Sequence, residues 1–327
     1  MMINKNDVKE AYSWILGRQP ESNDVVGKWL DKGIDAMAFR TMLLESNEFR
    51  DKSKTESSKI DKVVSVASTD IKAIDEERLV FLHIPKTGGT TLHEFLCGFF
   101  DKEKICPARY DTLWDFKVGE LVNYTFFSGH YSLPTCDLIP GVNNKVITFL
   151  REPKARLISA YYFWRSHVIT SKSQQLPILT NRYSFCDFLE LENIRNGANT
   201  FNPYIQLLTG CVPTGEFRKY GDISGLNSHD KILLEKAINK LDSLEFFGLL
   251  EEFDESVRRL SEKLNLNFKG RIEKKMVLKD LVNQGSNDFK SVVKETLTEN
   301  HELLIERNTY LDELLFKYAL SKFKNEI

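Results

Sequence analysis

The sequence predicts an α/β protein, a parallel sheet flanked by helices and preceded by a small all-α unit. Three observations carry that expectation. Residues 78–84, RLVFLHI, are a short apolar run of strand type that stops at the turn-forming Pro85. The next stretch, TLHEFLCGFF, changes period: Leu92, Phe95, Leu96 and Phe99 fall at i, i+3, i+4 and i+7, the buried stripe of a helix. Further on, residues 124–128 and 146–150 are apolar runs of the same strand type, and a helical pattern beginning at Pro153 follows the second. Strands alternating with helices indicate a parallel sheet covered on both faces.

Length and charge bound the function. The chain of 327 residues suits one large domain and one small one. Lys and Arg number 45 against 47 Asp and Glu, so there is no global electrostatic footprint for nucleic acid. Positive charge facing an anion must therefore be local. The N-terminus, MMINKNDVKEAYSW, lacks the continuous apolar segment of a signal peptide, and no apolar run reaches the roughly 18 residues of a membrane span. Cys97, Cys106, Cys136, Cys186 and Cys211 are odd in number and scattered. They match reduced thiols rather than a disulfide framework or a metal motif, and cytoplasm is the expected compartment.

Taken in order, residues 1–50 read as a small helical domain. Val8, Ala11, Tyr12, Ile15 and Leu16 make a helical stripe that stops at Gly17. Val25, Val26, Trp29 and Leu30 start a second helix ending near Gly33. Asp35 is placed to cap a third, with Phe39, Met42, Leu43 and Phe49 as its apolar side. The pattern AYSWILGRQP with FRTMLLESNEF resembles a short helical domain of bacterial proteins, which implies a packing role or a protein partner rather than catalysis. Residues 51–76 are rich in Ser, Lys, Thr and Asp, a linker by composition with a short strand expected at 63–66. The main domain is then 77–327. Within it, helices are expected at 183–192, 203–208, 231–241 and 251–264, and a last strand at 244–249. A basic patch at 269–275 precedes more helix.

The turn after the first strand, Pro85-Lys86-Thr87-Gly88-Gly89-Thr90-Thr91, puts a cation, two glycines and three hydroxyls before a helix N-terminus. Glycines let backbone N–H groups approach a ligand, the helix dipole favours negative charge, and Lys86 adds a full one. The plain alternative is a strand–turn–helix with a surface lysine. A Walker A loop is disfavoured, because that pattern places Lys after the glycines. Lys86, His130 and Arg151 each follow an expected strand, and in parallel sheets ligands sit at those carboxyl ends. His130 has the ordinary titration range of a general base, although an isolated histidine after a strand also serves as a structural hydrogen-bonding residue. His83 reads as a core histidine and His93 as a weaker candidate base.

FLHIPKTGGTTL and VITFLREPKARLISAYYF together resemble the 5′-phosphosulfate loop and the 3′-phosphate motif of sulfotransferases that use 3′-phosphoadenosine 5′-phosphosulfate (PAPS). The similarity is to the carbohydrate-directed branch that includes heparan sulfate 2-O-sulfotransferases and bacterial members. FFSGHYS is similar to that branch's segment bearing the catalytic histidine, and FFGLLEEFDESVRRL to a C-terminal segment. The resemblance implies a P-loop-like fold, PAPS as co-substrate and no metal. Lys86, Thr87, Gly88, Gly89, Thr90 and Thr91 would hold the 5′-phosphosulfate, Arg151 and Ser159 the 3′-phosphate, and His130 would be the general base, with Lys86 also catalytic. The implied acceptor is a hydroxyl of a glycan or glycolipid. A nucleotide-dependent kinase and a non-catalytic binding module stand as alternatives. Residues 102–123 and 166–202 are the expected acceptor loops, with Tyr110, Trp114, Trp164, Arg165 and Arg182 as sugar-contacting candidates.

Overall fold

The strand that begins the main unit, β1 (Arg78–Leu82), is buried along its whole length, which is why it reads as a continuous apolar run. It pairs in parallel with β2 (Phe126–Gly129) on one side and β3 (Asn144–Leu150) on the other. β3 then pairs in parallel with β4 (Phe246–Leu249), giving the order β2-β1-β3-β4. The computed structural model describes residues 2–16, 18–35, 38–39, 42–43, 46–48, 76–171, 174–195, 197–216, 221–268, 270, 272 and 287–325. The chain divides into two units, 1–71 and 72–327.

In the main unit the two-residue period of the strands sorts the core into two faces. Val80 and Leu82 pack with Phe127, Leu150 and Leu249 under the Ser228–Asp242 and Glu299–Asn325 helices. Leu79 and Phe81 pack on the opposite face with Phe126, Ile147 and Phe149. Burying each such Leu or Phe stabilises the fold by about 1.5–3 kcal/mol. The helix Gly89–Cys97 covers this second face through Leu92 and Leu96. Phe99 lies past the end of that helix and is 37% exposed, so the predicted stripe is one residue too long. Gly98 at the C-cap ends it.

Most expected elements are present with shifted ends. β2 starts two residues later than its apolar run, because the Tyr124 carbonyl is taken by the guanidinium of the buried Arg78 (3.2 Å). The helix Pro153–Ser166 has Pro153 in its first turn and Glu152 as N-cap, whose carboxylate accepts from Lys154 N (3.1 Å) and Ala155 N (2.6 Å). The expected helix over 183–192 is two, Phe185–Glu190 and Glu192–Arg195. Residues 166–202 are not simply loop, since Gln175–Arg182 is a helix. One helix, Glu299–Asn325, forms the end of the unit, preceded by irregular chain at 290–298.

The small unit has its own core of Val8, Tyr12, Leu16, Val26, Phe39 and Leu43 between the helices Lys5–Leu16 and Asn23–Leu30. Asp35 caps as expected, its carboxylate accepting from Ala38 N (2.8 Å). Met42 is 42% exposed and does not belong to the apolar side. Gly17, residues 51–75 with the expected strand at 63–66, Phe49 and most of the basic patch at 269–275 lie outside the described residues.

Candidate active site

The strand order reverses between β1 and β3: from β1 the chain passes outward to β2, then returns to β3 on the other side. The carboxyl ends of strands at such a switch point leave a crevice. A cleft of about 1500 Å³ opens there, lined by Lys86, Gly88, Gly89, Thr90 and Thr91 after β1, His130 after β2, and Arg151 and Ser159 after β3. Eight of the nine residues singled out from sequence therefore meet in one place.

The exception is Thr87. Its side chain is buried and its hydroxyl donates to the Ile84 carbonyl (2.8 Å), so it ties down the turn instead of facing the cleft. The turn itself is tight. Lys86 has φ 71° and Gly88 φ 82°, both left-handed, and for a lysine that conformation is uncommon. Within the Gly89–Cys97 helix, Leu92 N–H bonds back to the Gly88 carbonyl (3.3 Å), so the residues just before it present the positive end of the helix dipole to the cleft.

Lys86 points its ammonium over the face of Phe163, 3.7 Å from the ring centroid. Burial, reinforced by Arg151, pulls Lys86 down to about 8. The guanidinium of Arg151 donates to the Lys86 carbonyl (3.2 Å), joining the β1 and β3 loops. Its backbone is gripped by Tyr204, whose hydroxyl accepts from Arg151 N (3.0 Å) and donates to Arg151 O (2.6 Å). Tyr204 in turn starts the helix Pro203–Thr209, whose Tyr204 and Ile205 N–H groups donate to the buried carboxylate of Asp312 (3.1 Å each). Ser159 sits two turns into the helix that follows Arg151, on the cleft side.

His130 is oriented by two backbone carbonyls. Its N–H donates to Arg109 O (2.9 Å), and its ring Nδ1 lies 2.6 Å from His83 O. A carbonyl only accepts, so the ring hydrogen is on Nδ1 and Nε2 carries a lone pair. Burial is the main influence on this imidazole and holds it below the ordinary histidine range, against the opposing pull of the His83 carbonyl. His93, by contrast, is bonded to Ser128 Oγ (2.9 Å) and Arg109, away from the cleft lining.

Of the acceptor-side candidates, Tyr110 and Trp164 line the cleft, and the Tyr110 ring lies 5.8 Å from that of His130. Arg165 does not; it donates to Thr180 O (2.7 Å) and Tyr183 O (2.9 Å) as a structural clamp. Arg182 lies over the Tyr183 ring, and Trp114, 64% exposed, is not part of the lining. Sequence reasoning missed Phe163 beneath Lys86, and also Lys294 and Phe289, which reach the cleft from chain more than a hundred residues beyond Arg151. Phe163 was within reach of the periodicity, because it falls four residues after Ser159. Lys294 carried no local signal.

Gly89 is required by this packing. A Cβ there would lie 1.9 Å from His83 Cδ2 and 2.1 Å from its Nε2. Gly89→Ala is expected to destabilise the protein by about 1–3 kcal/mol through overpacking. A fall in the urea midpoint with unchanged slope measures it, and an unchanged midpoint contradicts the packing described.

The fold and cleft define a class: an α/β protein whose parallel sheet carries two cations and a histidine at a topological switch point, chemically suited to an anion-bearing group. A family model described as the sulfotransferase family matches residues 69–319, and the chain belongs to that family. It is similar to human heparan-sulfate 6-O-sulfotransferase 2, 27% identical over 293 residues that are 78% of this chain and 45% of that protein. It is also similar to a protein-tyrosine sulfotransferase of Arabidopsis thaliana, 36% identical over 89 residues, 27% of this chain and 17% of that protein. The chain thus spans less than half the length of both. A mouse sulfotransferase crystallised with PAP aligns over 80% of this chain and 88% of that one, at 14% identity and a TM-score of 0.31.

Proposed function

We propose that this protein is an enzyme transferring a sulfuryl group from PAPS to a hydroxyl of a glycan, free or lipid-linked. The observation that carries the reading is the meeting of the Lys86 turn, Arg151 and His130 in one cleft. The residues suit the donor. Gly88 and Gly89 let the turn pack directly against Leu250 and His83 on the cleft wall, and Lys86 with the helix N-terminus supplies positive charge for a 5′-phosphosulfate. Arg151 presents a planar fork and Ser159 a hydroxyl for a 3′-phosphate. His130 Nε2 takes the acceptor hydroxyl proton as the acceptor oxygen bonds to sulfur. The bond from sulfur to the phosphate oxygen breaks with its electron pair, leaving adenosine 3′,5′-bisphosphate and a sulfate ester. Lys86 stabilises the charge gathering on the departing oxygen. No metal enters these steps. The similarity to a heparan-sulfate enzyme supports a glycan acceptor. Unpaired thiols at all five cysteines support a reducing compartment such as the cytoplasm. The small helical unit, whose described residues bring together no catalytic grouping, is assigned to protein contacts.

Binding tests the donor. Adenosine 3′,5′-bisphosphate is expected to bind more tightly than adenosine 5′-monophosphate by about 10–100-fold, the worth of one charge-assisted hydrogen-bonded contact. Arg151→Ala should erase that margin while leaving monophosphate affinity unchanged. Tight ATP binding with no preference for a 3′-phosphate would point to a kinase instead. Labelled PAPS offered with a panel of glycans and a tyrosine peptide then identifies the acceptor class.

A further inference from the structure

His83 reads in the sequence as a core histidine, and it is indeed only 6% exposed. Its place is nevertheless on the cleft wall, just past the end of β1. Three contacts fix it there. Its carbonyl holds His130 Nδ1, its ring lies 4.4 Å from the His130 ring, and its Cδ2–Nε2 edge rests against Gly89 at the helix N-terminus. The imidazole therefore stands between His130 and the turn that bears Lys86 and Gly89.

Its two nitrogens differ. Nδ1 is sealed from solvent and has no hydrogen-bond partner among the described residues. Burial, with His130 and Arg109 nearby, pushes His83 well below the ordinary histidine range, so the ring carries one hydrogen. A sealed N–H without an acceptor costs about 1–3 kcal/mol, whereas an unused lone pair is the commoner and cheaper defect. The hydrogen accordingly sits on Nε2, at the Gly89 edge.

We infer that His83 is a further catalytic residue, a neutral Nε2–H donor to the sulfuryl oxygens during transfer. This rests on the sulfotransferase reading. No proton leaves His83: it donates a hydrogen bond as negative charge spreads over the oxygens, while His130 takes the acceptor proton and the phosphate oxygen leaves with the S–O electron pair. A donor fixed by its packing needs no reorganisation as the charge develops. His83 and Lys86 then divide the work, the imidazole on the group being moved and the ammonium on the oxygen it leaves.

A three-member series at this position tests it. His83→Leu keeps volume without a donor. His83→Gln carries an amide N–H to the reach of Nε2, and His83→Asn carries one only to the reach of Nδ1. Initial rates with labelled PAPS at saturating acceptor are read beside bisphosphate affinity. The expected result is a fall in kcat of about 10²-fold for Leu and Asn, with Gln restored to within about tenfold of the parent and bisphosphate affinity unchanged in all three. Equal rates for Gln and Asn, full activity in the Leu protein, or a loss of bisphosphate affinity that accounts for the rate overturns the proposal. Should the Leu protein fail to fold, the Gln–Asn comparison decides alone. Absence of transfer by the unmodified protein across the acceptor panel instead removes the sulfotransferase reading, and this role with it.

Discussion

Lys86→Met lowers turnover by about 10²–10³-fold, the usual loss when one donor to a developing oxyanion is removed. Methionine is the informative substitution, because Lys86 adopts φ 71° and a residue of similar stem keeps that backbone equally constrained. It also keeps an apolar stem on Phe163, over which the ammonium now rests. Folding is therefore expected to survive while the charge is lost, and a urea titration beside the rate assay separates the two. The same residue sets an alkaline limit. Lys86 works as a cation, and burial with Arg151 beside it brings it to about 8. As pH rises through that value the free enzyme loses the charge, so kcat/KM, which reports the free enzyme, falls there. Bound anionic donor favours the ammonium, so kcat holds to higher pH. Lys86→Arg should remove the alkaline limb from both profiles, since a guanidinium stays charged. An unchanged limb in that variant assigns it to another group.

Much of this arrangement is legible in the sequence alone, and the reason is local chemistry. The turn at 85–91, the strand just before Arg151 and the one just before His130 each announce themselves by composition and period, and the parallel-sheet rule brings their carboxyl ends together. The failures have a shared cause too. Thr87 was assigned to the anion by residue type, yet a hydroxyl three residues after a strand-end carbonyl can close the turn on Ile84 instead. His83 was assigned to the core because it continues an apolar run, and burial does place it there; its contact with Gly89 and His130 is tertiary. Arg165 and Arg182 look like ligand-binding cations and are committed to carbonyls and an aromatic ring of their own neighbourhood. Lys294 arrives from irregular chain before the last helix, where no periodic pattern could place it. Sequence thus locates groups whose position follows from strand ends, and loses those whose role depends on which distant surface they meet.

His130→Ala should cost about 10²–10⁴-fold in kcat, the range for a positioned general base. The geometry makes the expectation specific to one nitrogen. With Nδ1–H given to the His83 carbonyl, proton removal falls to Nε2 of this cleft-lining ring. The acid limb of the rate profile follows from the same burial. A base acts when neutral, and burial holds His130 below the ordinary histidine value, so it remains competent as pH falls past about 6.5 and fails only below that. The kcat/KM profile of the parent should therefore break on the acid side below 6.5, and in His130→Ala that break should vanish while the limb set by Lys86 stays. Added imidazole, which fits the vacated space and carries its own neutral nitrogen, should restore part of the rate in proportion to its unprotonated fraction. Retention of the acid limb in His130→Ala would move the base elsewhere in the cleft, with Asp111 the next carboxylate to test because it shares the lining beside Tyr110. Retention of full turnover would mean that the acceptor loses its proton to solvent, and that His130 serves only to hold the loop after β2 against His83 and Arg109.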